Sequence, residues 1–170
     1  MRKAPQTRPF DVVLALRLLK PAGTFTVLAE QLAASPSQVY AAARRLELAG
    51  LLRADERATN ARALLDFLLG GVRYAFPVQR GALVEGIPTA HSAPPLNAIV
   101  DAVEVIVWPA PKREGAVRGF GITPLYPRAV HLRESSPETY RLLTVVDALR
   151  LGDAKLRTHA RAALEKLLAT

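Results

Sequence analysis

The sequence predicts a mixed α+β fold. We expect N-terminal helices that end in a short hairpin, then a small β-containing, loop-rich region, and finally two C-terminal helices. Apolar residues recur at helical spacing before residue 70, prolines and glycines interrupt the chain between residues 78 and 133, and helical spacing returns after residue 135. We therefore divide the chain into an N-terminal unit, residues 1–77, and an accessory region, residues 78–170.

The composition favours a polyanionic partner and excludes several kinds of chemistry. Half of the 170 residues are hydrophobic, the net charge is +8, and residues 1–76 contain eleven Arg and Lys against six Asp and Glu. Arg and Lys neutralise phosphates, although Arg-rich composition is equally expected of a GC-rich genome. The absence of cysteine excludes disulfides, thiolate zinc sites and cysteine nucleophiles. No apolar stretch is long enough to cross a bilayer, and we expect a cytoplasmic protein without a membrane partner.

Helix start and stop signals define the first three elements. The segment Phe10–Lys20 lies between two prolines and is apolar nearly all round, which predicts a buried first helix. Thr26 is a candidate N-cap for the second helix. Ser35 is a candidate N-cap for the third, with Pro36 at its first position and Gly50 after its last turn.

The third helix is predicted to have two unlike faces. Its inward stripe is apolar and comprises Val39, Ala42, Ala43 and Leu46. Its predicted outward positions are Ser37, Gln38, Tyr40, Ala41, Arg44 and Arg45. Side chains that bind base edges must be directional donors or acceptors, and phosphate contacts need cations or hydroxyls. This outward face therefore suits a nucleic acid.

A hairpin is expected directly after the third helix. Leu51–Arg53 indicates the start of a strand, and the polar residues 54–59 indicate the hairpin tip. Arg53 and Arg57 are candidates for DNA-backbone contacts from this hairpin, with a solvated surface as the alternative. The next segment, Asn60–Leu69, is a predicted helix closed by two glycines.

The remaining elements are predicted from local alternation and from cap signatures. Residues 72–77 alternate and carry aromatics, which predicts a strand. Val103–Trp108 is the best strand of the middle region, with Ala116–Ile122 as its possible hairpin partner. A Ser-Ser-Pro-Glu sequence precedes the first C-terminal helix, and Gly152-Asp153 separates it from the last one, Ala154–Leu168.

The N-terminal pattern resembles the winged helix-turn-helix transcriptional regulators of bacteria, of the broad MarR-like class. The matching residues are Leu28, Ala29 and Leu32, then Ser35-Pro36-Ser37-Gln38-Val39, and then Arg45-Leu46-Glu47 with Ala49-Gly50-Leu51-Leu52. The resemblance covers about residues 10–57. It implies that the helix from about Ser37 to Ala49 lies in the major groove, with Ser37, Gln38, Tyr40, Ala41 and Arg44 facing DNA. The remainder resembles an uncharacterised bacterial family, from which no function carries over.

We therefore expect a transcription regulator that binds double-stranded DNA as a homodimer, without enzymatic activity, cofactor or metal. His91, His131 and His159 do not have metal-ligand spacing, and no nucleophile-elbow motif accompanies His91, Ser92 and Asp101. The alternative is a winged-helix adaptor or antitoxin-like protein that binds a protein partner. The aromatic residues that cluster in the middle third suit either a β-core or an effector pocket.

Overall fold

The computed structural model describes residues 6–53 and 55–169, and it confirms a mixed α+β fold. The described residues form eight α-helices: α1 (Pro9–Arg17), α2 (Phe25–Gln31), α3 (Pro36–Leu48), α4 (Ala61–Gly70), α5 (Val72–Ala75), α6 (Leu132–Ser135), α7 (Pro137–Leu151) and α8 (Ala154–Leu168). They also form five strands: β1 (Leu52–Arg53), β2 (Ala58–Thr59), β3 (Leu83–Pro88), β4 (Ile106–Pro109) and β5 (Val117–Gly121). Short 3₁₀ turns occupy Ala90–Ser92, Leu96–Ala98 and Ala129–His131. Within this described part of the chain, no helix combines the length and apolar character needed to cross a membrane.

The first helix is buried on every side, as its composition predicts. All residues from Phe10 to Leu16 are buried, and the helix ends at Arg17, three residues before the predicted end. The second helix begins earlier than predicted. Its N-cap is Thr24, whose Oγ1 accepts a hydrogen bond from the Val27 N–H at 3.4 Å, and Thr26 is therefore not the cap.

The third helix follows its sequence signals closely. The Ser35 hydroxyl accepts a hydrogen bond from the Gln38 N–H at 3.2 Å, and Pro36 occupies the first helical position. The helix ends at Leu48, and Gly50 then adopts a left-handed conformation with φ of +72°. A glycine adopts this conformation without the strain that a Cβ atom causes, which explains its place after the last turn.

A short antiparallel hairpin follows α3. It contains two residue pairs, Leu52 with Thr59 and Arg53 with Ala58, and Ala54 of the predicted tip lies outside the described residues. The hydroxyl of Thr59 donates to the Ala15 carbonyl at 2.6 Å, which fixes the hairpin to α1. Helix α4 starts almost immediately afterwards, so the hairpin is as short as the sequence indicates.

The middle region contains the largest departures from the sequence-based predictions. The predicted strand at residues 72–77 is wrong, because Val72–Ala75 forms α5 and Val72 is buried in the core. The predicted hairpin of β4 and β5 is also wrong. These strands pair in parallel, and both pair antiparallel to β3, which the sequence did not indicate. The closed arrangement needs a glycine at position 86, where a Cβ atom would collide with the Trp108 carbonyl oxygen.

The two C-terminal helices lie where the sequence predicts them, but the predicted serine cap is wrong, because the Ser136 side chain makes no capping hydrogen bond to α7. Helix α7 is the more deeply buried of the two. It packs against α1, α5 and α8 in one hydrophobic core that runs without a break across residue 77. The boundary expected at that residue therefore does not coincide with a gap in the packing.

A buried polar network joins α7 to the middle region. The Asp147 carboxylate accepts hydrogen bonds from Thr89 Oγ1 at 2.8 Å and from Trp108 Nε1 at 2.6 Å, and it pairs with Arg150 at 2.7 Å. Burial raises the pKa of Asp147, while the Arg150 charge and the three donors oppose that rise. The Arg150 guanidinium also donates to the Phe76 carbonyl at 2.8 Å, which connects α7 to the end of α5. The network thus holds the three-stranded sheet and α5 on α7.

Candidate nucleic-acid interface

The outer face of α3 is exposed to solvent. Ser37, Tyr40, Ala41 and Arg44 are exposed, and Gln38 is half-buried. The opposite face carries the predicted apolar stripe, which is fully buried against α1 and α2. The accessory region therefore does not cover the face of α3 that is predicted to contact a partner.

Arg45 does not belong to this outer face, so its predicted outward orientation is wrong. Its guanidinium donates two hydrogen bonds to the buried Asp11 carboxylate, from Nε at 2.8 Å and from Nη2 at 2.6 Å. The hydrogen bond to Asp11 raises the pKa of Arg45, and the charge attraction adds to it, while burial opposes the rise. Asp11 also accepts the Arg8 backbone N–H at 2.8 Å. Arg45 therefore fixes α3 to the start of α1.

Two of the arginines that are predicted to contact DNA form ion pairs with neighbouring glutamates. Arg44 pairs with Glu47 one turn further along α3, and Arg53 pairs with Glu56 in the turn of the hairpin at 3.2 Å. Both arginine side chains are more than half exposed. Exposed ion pairs of this kind are weak, so the arginines can exchange these partners for others.

An aromatic and cationic cluster lies between α3 and the hairpin. The Phe25 and Tyr40 rings meet edge to face with centroids 6.0 Å apart, and the Arg57 guanidinium lies 5.4 Å from the Phe25 centroid. These side chains border a cavity of about 210 Å³ between α2, α3 and the hairpin. The cluster places Arg57 beside α3. Phe25 was not among the predicted site residues, because it precedes Thr26, the predicted N-cap of the second helix.

The turn between α2 and α3 is held by residues from the accessory region. Ala33 has φ of +49°, an unusual conformation for a residue with a Cβ atom. Its carbonyl accepts hydrogen bonds from the Tyr126 hydroxyl at 2.9 Å and from Arg128 Nη1 at 2.8 Å. Burial raises the pKa of Tyr126, and the nearby Arg128 charge partly opposes that rise, so the hydroxyl stays protonated and able to donate near neutral pH. No sequence spacing connects residues more than ninety positions apart, so this contact was not predicted.

No family model, curated protein or solved structure matches this chain. The winged-helix resemblance therefore rests on the residues named above.

His91 and Ser92 of the middle region each make a hydrogen bond to the backbone of a neighbouring segment. His91 Nε2–H donates to the Glu104 carbonyl at 2.8 Å, and the Ser92 hydroxyl accepts the Ile106 N–H at 2.9 Å. Both contacts fix the loop before β4. Across residues 6–53 and 55–169, no group of three or more His, Asp or Glu side chains is placed to hold a metal ion.

Proposed function

We propose that residues 10–59 act as a winged helix-turn-helix and that the protein is a DNA-binding transcription regulator. The observation that carries this proposal is the uncovered outer face of α3, with its hydroxyl, amide and guanidinium groups. These groups stand on a helix whose opposite face is fully buried, so they are presented on a rigid support.

The dimensions of α3 suit the major groove of DNA. A helix of 13 residues is roughly 20 Å long and about 10–12 Å wide with its side chains. The major groove is about 12 Å wide and admits a single helix. In this position Gln38 is suited to an adenine edge, Arg44 to a guanine edge or a phosphate, and Ser37 to a phosphate. The hairpin would then bring Arg53 and Arg57 to the neighbouring backbone.

The test separates a base contact from a phosphate contact. The protein is titrated into a labelled duplex selected from a random-sequence pool, and its affinity is measured at several salt concentrations. We expect Gln38→Ala to relax the base preference. Arg44→Ala should make the negative slope of log affinity against log salt less steep by about 0.9. If neither variant changes the affinity or the base preference, α3 is not the DNA-binding element.

Arg161 provides a matched control for Arg44. It is also an exposed helical arginine with a glutamate neighbour, Glu165 at 3.0 Å, but it lies on α8, which packs against α7 and α4. Arg161→Ala should leave both the base preference and the salt slope unchanged. A loss equal to that of Arg44→Ala would indicate a general charge effect.

The second candidate function is a winged-helix adaptor that binds a protein partner. It is favoured by the apolar character of part of the same surface, because Tyr40 and Leu48 are 56% and 67% exposed. The ion pairs of Arg44 and Arg53 with glutamates also favour a protein partner, because they reduce the net positive charge of this surface. Co-purification of a stoichiometric protein that Leu48→Asp releases, together with no salt-dependent retention on DNA, would support this function over the first.

A homodimer is part of the first proposal. Regulators with this kind of motif commonly bind two half-sites related by twofold symmetry, and their own symmetry matches that of the site. Sedimentation of the protein with its selected duplex should therefore show two chains on each duplex. A single chain on each duplex would contradict the dimer while leaving the DNA contact of α3 in place.

A further inference from the structure

The segment after β5 wraps around the end of α2 and binds its carbonyl groups. Tyr126 and Arg128 both donate to the Ala33 carbonyl, and the Ser135 hydroxyl donates to the Gln31 carbonyl at 2.9 Å. The accessory region therefore reaches the turn that leads into α3. Arg128 is the cationic member of this contact.

The position of Arg128 places its charge beside the first turn of α3. Ala33 precedes the N-cap Ser35 by two residues, so their Cα atoms lie within about 8 Å of each other. The Arg128 guanidinium is hydrogen-bonded to the Ala33 carbonyl and consequently lies close to the same helix end. A helix in the major groove fills most of its width, so groups beside that helix lie next to the phosphate strands.

Within the part of the chain that the structure describes, the charge of Arg128 is not paired with a carboxylate, in contrast to the charges of Arg44, Arg45 and Arg53. Among residues 6–53 and 55–169, Arg128 makes no ion pair. Arg128 is also exposed to solvent. A guanidinium has five N–H donors, and the Ala33 carbonyl takes one of them. The others remain available to an anion.

We propose that Arg128 binds a backbone phosphate of DNA beside the first turn of α3, so that the DNA-binding surface extends from the N-terminal unit into the accessory region. This inference rests on the proposed function. Its specific content is that a residue far outside the helix-turn-helix pattern contributes one phosphate contact. The Tyr126 hydroxyl, which shares the same carbonyl, positions the turn without contacting DNA.

Three variants separate a phosphate contact from a purely structural role. Arg128→Gln keeps a hydrogen-bond donor for the Ala33 carbonyl but removes the charge, and Arg128→Lys keeps the charge. Tyr126→Phe removes the other donor to the same carbonyl without changing any charge. Each variant is first compared with the wild type by thermal unfolding, which reports whether the turn contact itself affects folding.

Binding is measured by fluorescence anisotropy with a labelled duplex of about 30 base pairs, roughly three helical turns, between about 50 and 200 mM salt. We expect the negative slope of log affinity against log salt to be less steep for Arg128→Gln than for the wild type. The difference should be about 0.9, the value for one phosphate contact. Arg128→Lys and Tyr126→Phe should keep the wild-type slope. An unchanged slope for Arg128→Gln, or an equal decrease for Tyr126→Phe, would overturn the inference.

The same titration distinguishes this inference from the proposed function. A wild-type protein whose binding does not depend on salt would overturn both. A steep wild-type slope that Arg44→Ala lowers and Arg128→Gln leaves unchanged would overturn only the role of Arg128.

Discussion

Replacement of Arg45 by methionine should leave a buried carboxylate without its cationic partner. Asp11 is fully buried and accepts two hydrogen bonds from Arg45, while its remaining donor is the Arg8 backbone N–H. Methionine fills much of the same space but donates nothing. The loss of one member of a buried ion pair costs about 3–5 kcal/mol. For a chain of this length we therefore expect the melting temperature to fall by about 6–20 °C.

The free energy of unfolding is measured with urea and the melting temperature by heating, both followed by circular dichroism, with Arg161→Met as the control. Arg161 pairs with Glu165 on the exposed surface of α8, where such a pair contributes less than about 0.5 kcal/mol. The double variant Asp11→Asn with Arg45→Met should be more stable than Arg45→Met alone, because it removes the uncompensated charge and keeps an acceptor for the Arg8 N–H. A loss below about 1 kcal/mol for Arg45→Met would refute the view that this pair anchors α3 on α1.

Two further pairs of substitutions test the packing of the fold. Gly50→Ala should cost about 1 kcal/mol, because it adds only the strain of a positive φ where nothing lies within 4 Å of the new Cβ atom. Gly86→Ala should cost more, about 1–3 kcal/mol or above, because its Cβ atom would collide with the Trp108 carbonyl oxygen. Trp108 is the only tryptophan of the chain, so the fluorescence of the protein should report its displacement. Asp147→Ala should cost about 3–5 kcal/mol, because it leaves its buried arginine partner unpaired. Asp153→Ala should cost about 1 kcal/mol, because it removes only the N-cap bond at 2.8 Å to α8. Equal losses within either pair, measured by urea unfolding, would contradict these assignments.

The elements that the sequence predicted well are those with local start and stop signals. Ser35-Pro36 and Gly50 mark the start and the end of α3, and Asp153 caps α8. A capping side chain bonds a backbone group about three residues away, so sequence alone contains the whole interaction. The same holds for the apolar stripe of α3, whose spacing determines the buried face.

The elements that the sequence predicted poorly depend on contacts between distant residues. Val72–Ala75 alternates like a strand, but α5 packs against α7 and Val72 is buried, so tertiary packing overrides the local pattern. The strand β3 contains a glycine and a proline, residues that are uncommon inside strands, and the glycine is required only because β4 passes so close. Arg45 was predicted to face outward because its buried partner, Asp11, lies 34 residues away. At the candidate interface, the outer face of α3 could be predicted, whereas the contribution of Tyr126 and Arg128 could not.

The unbroken core has a practical meaning for protein engineering. Every residue of α1 from Phe10 to Leu16 is buried, and part of the surface that covers it belongs to α7. A fragment that stops at Pro77 would present that apolar flank to water and would be prone to associate with itself. The first three helices and the hairpin therefore cannot be transferred to another protein by themselves. A fusion protein that includes them should also include α7.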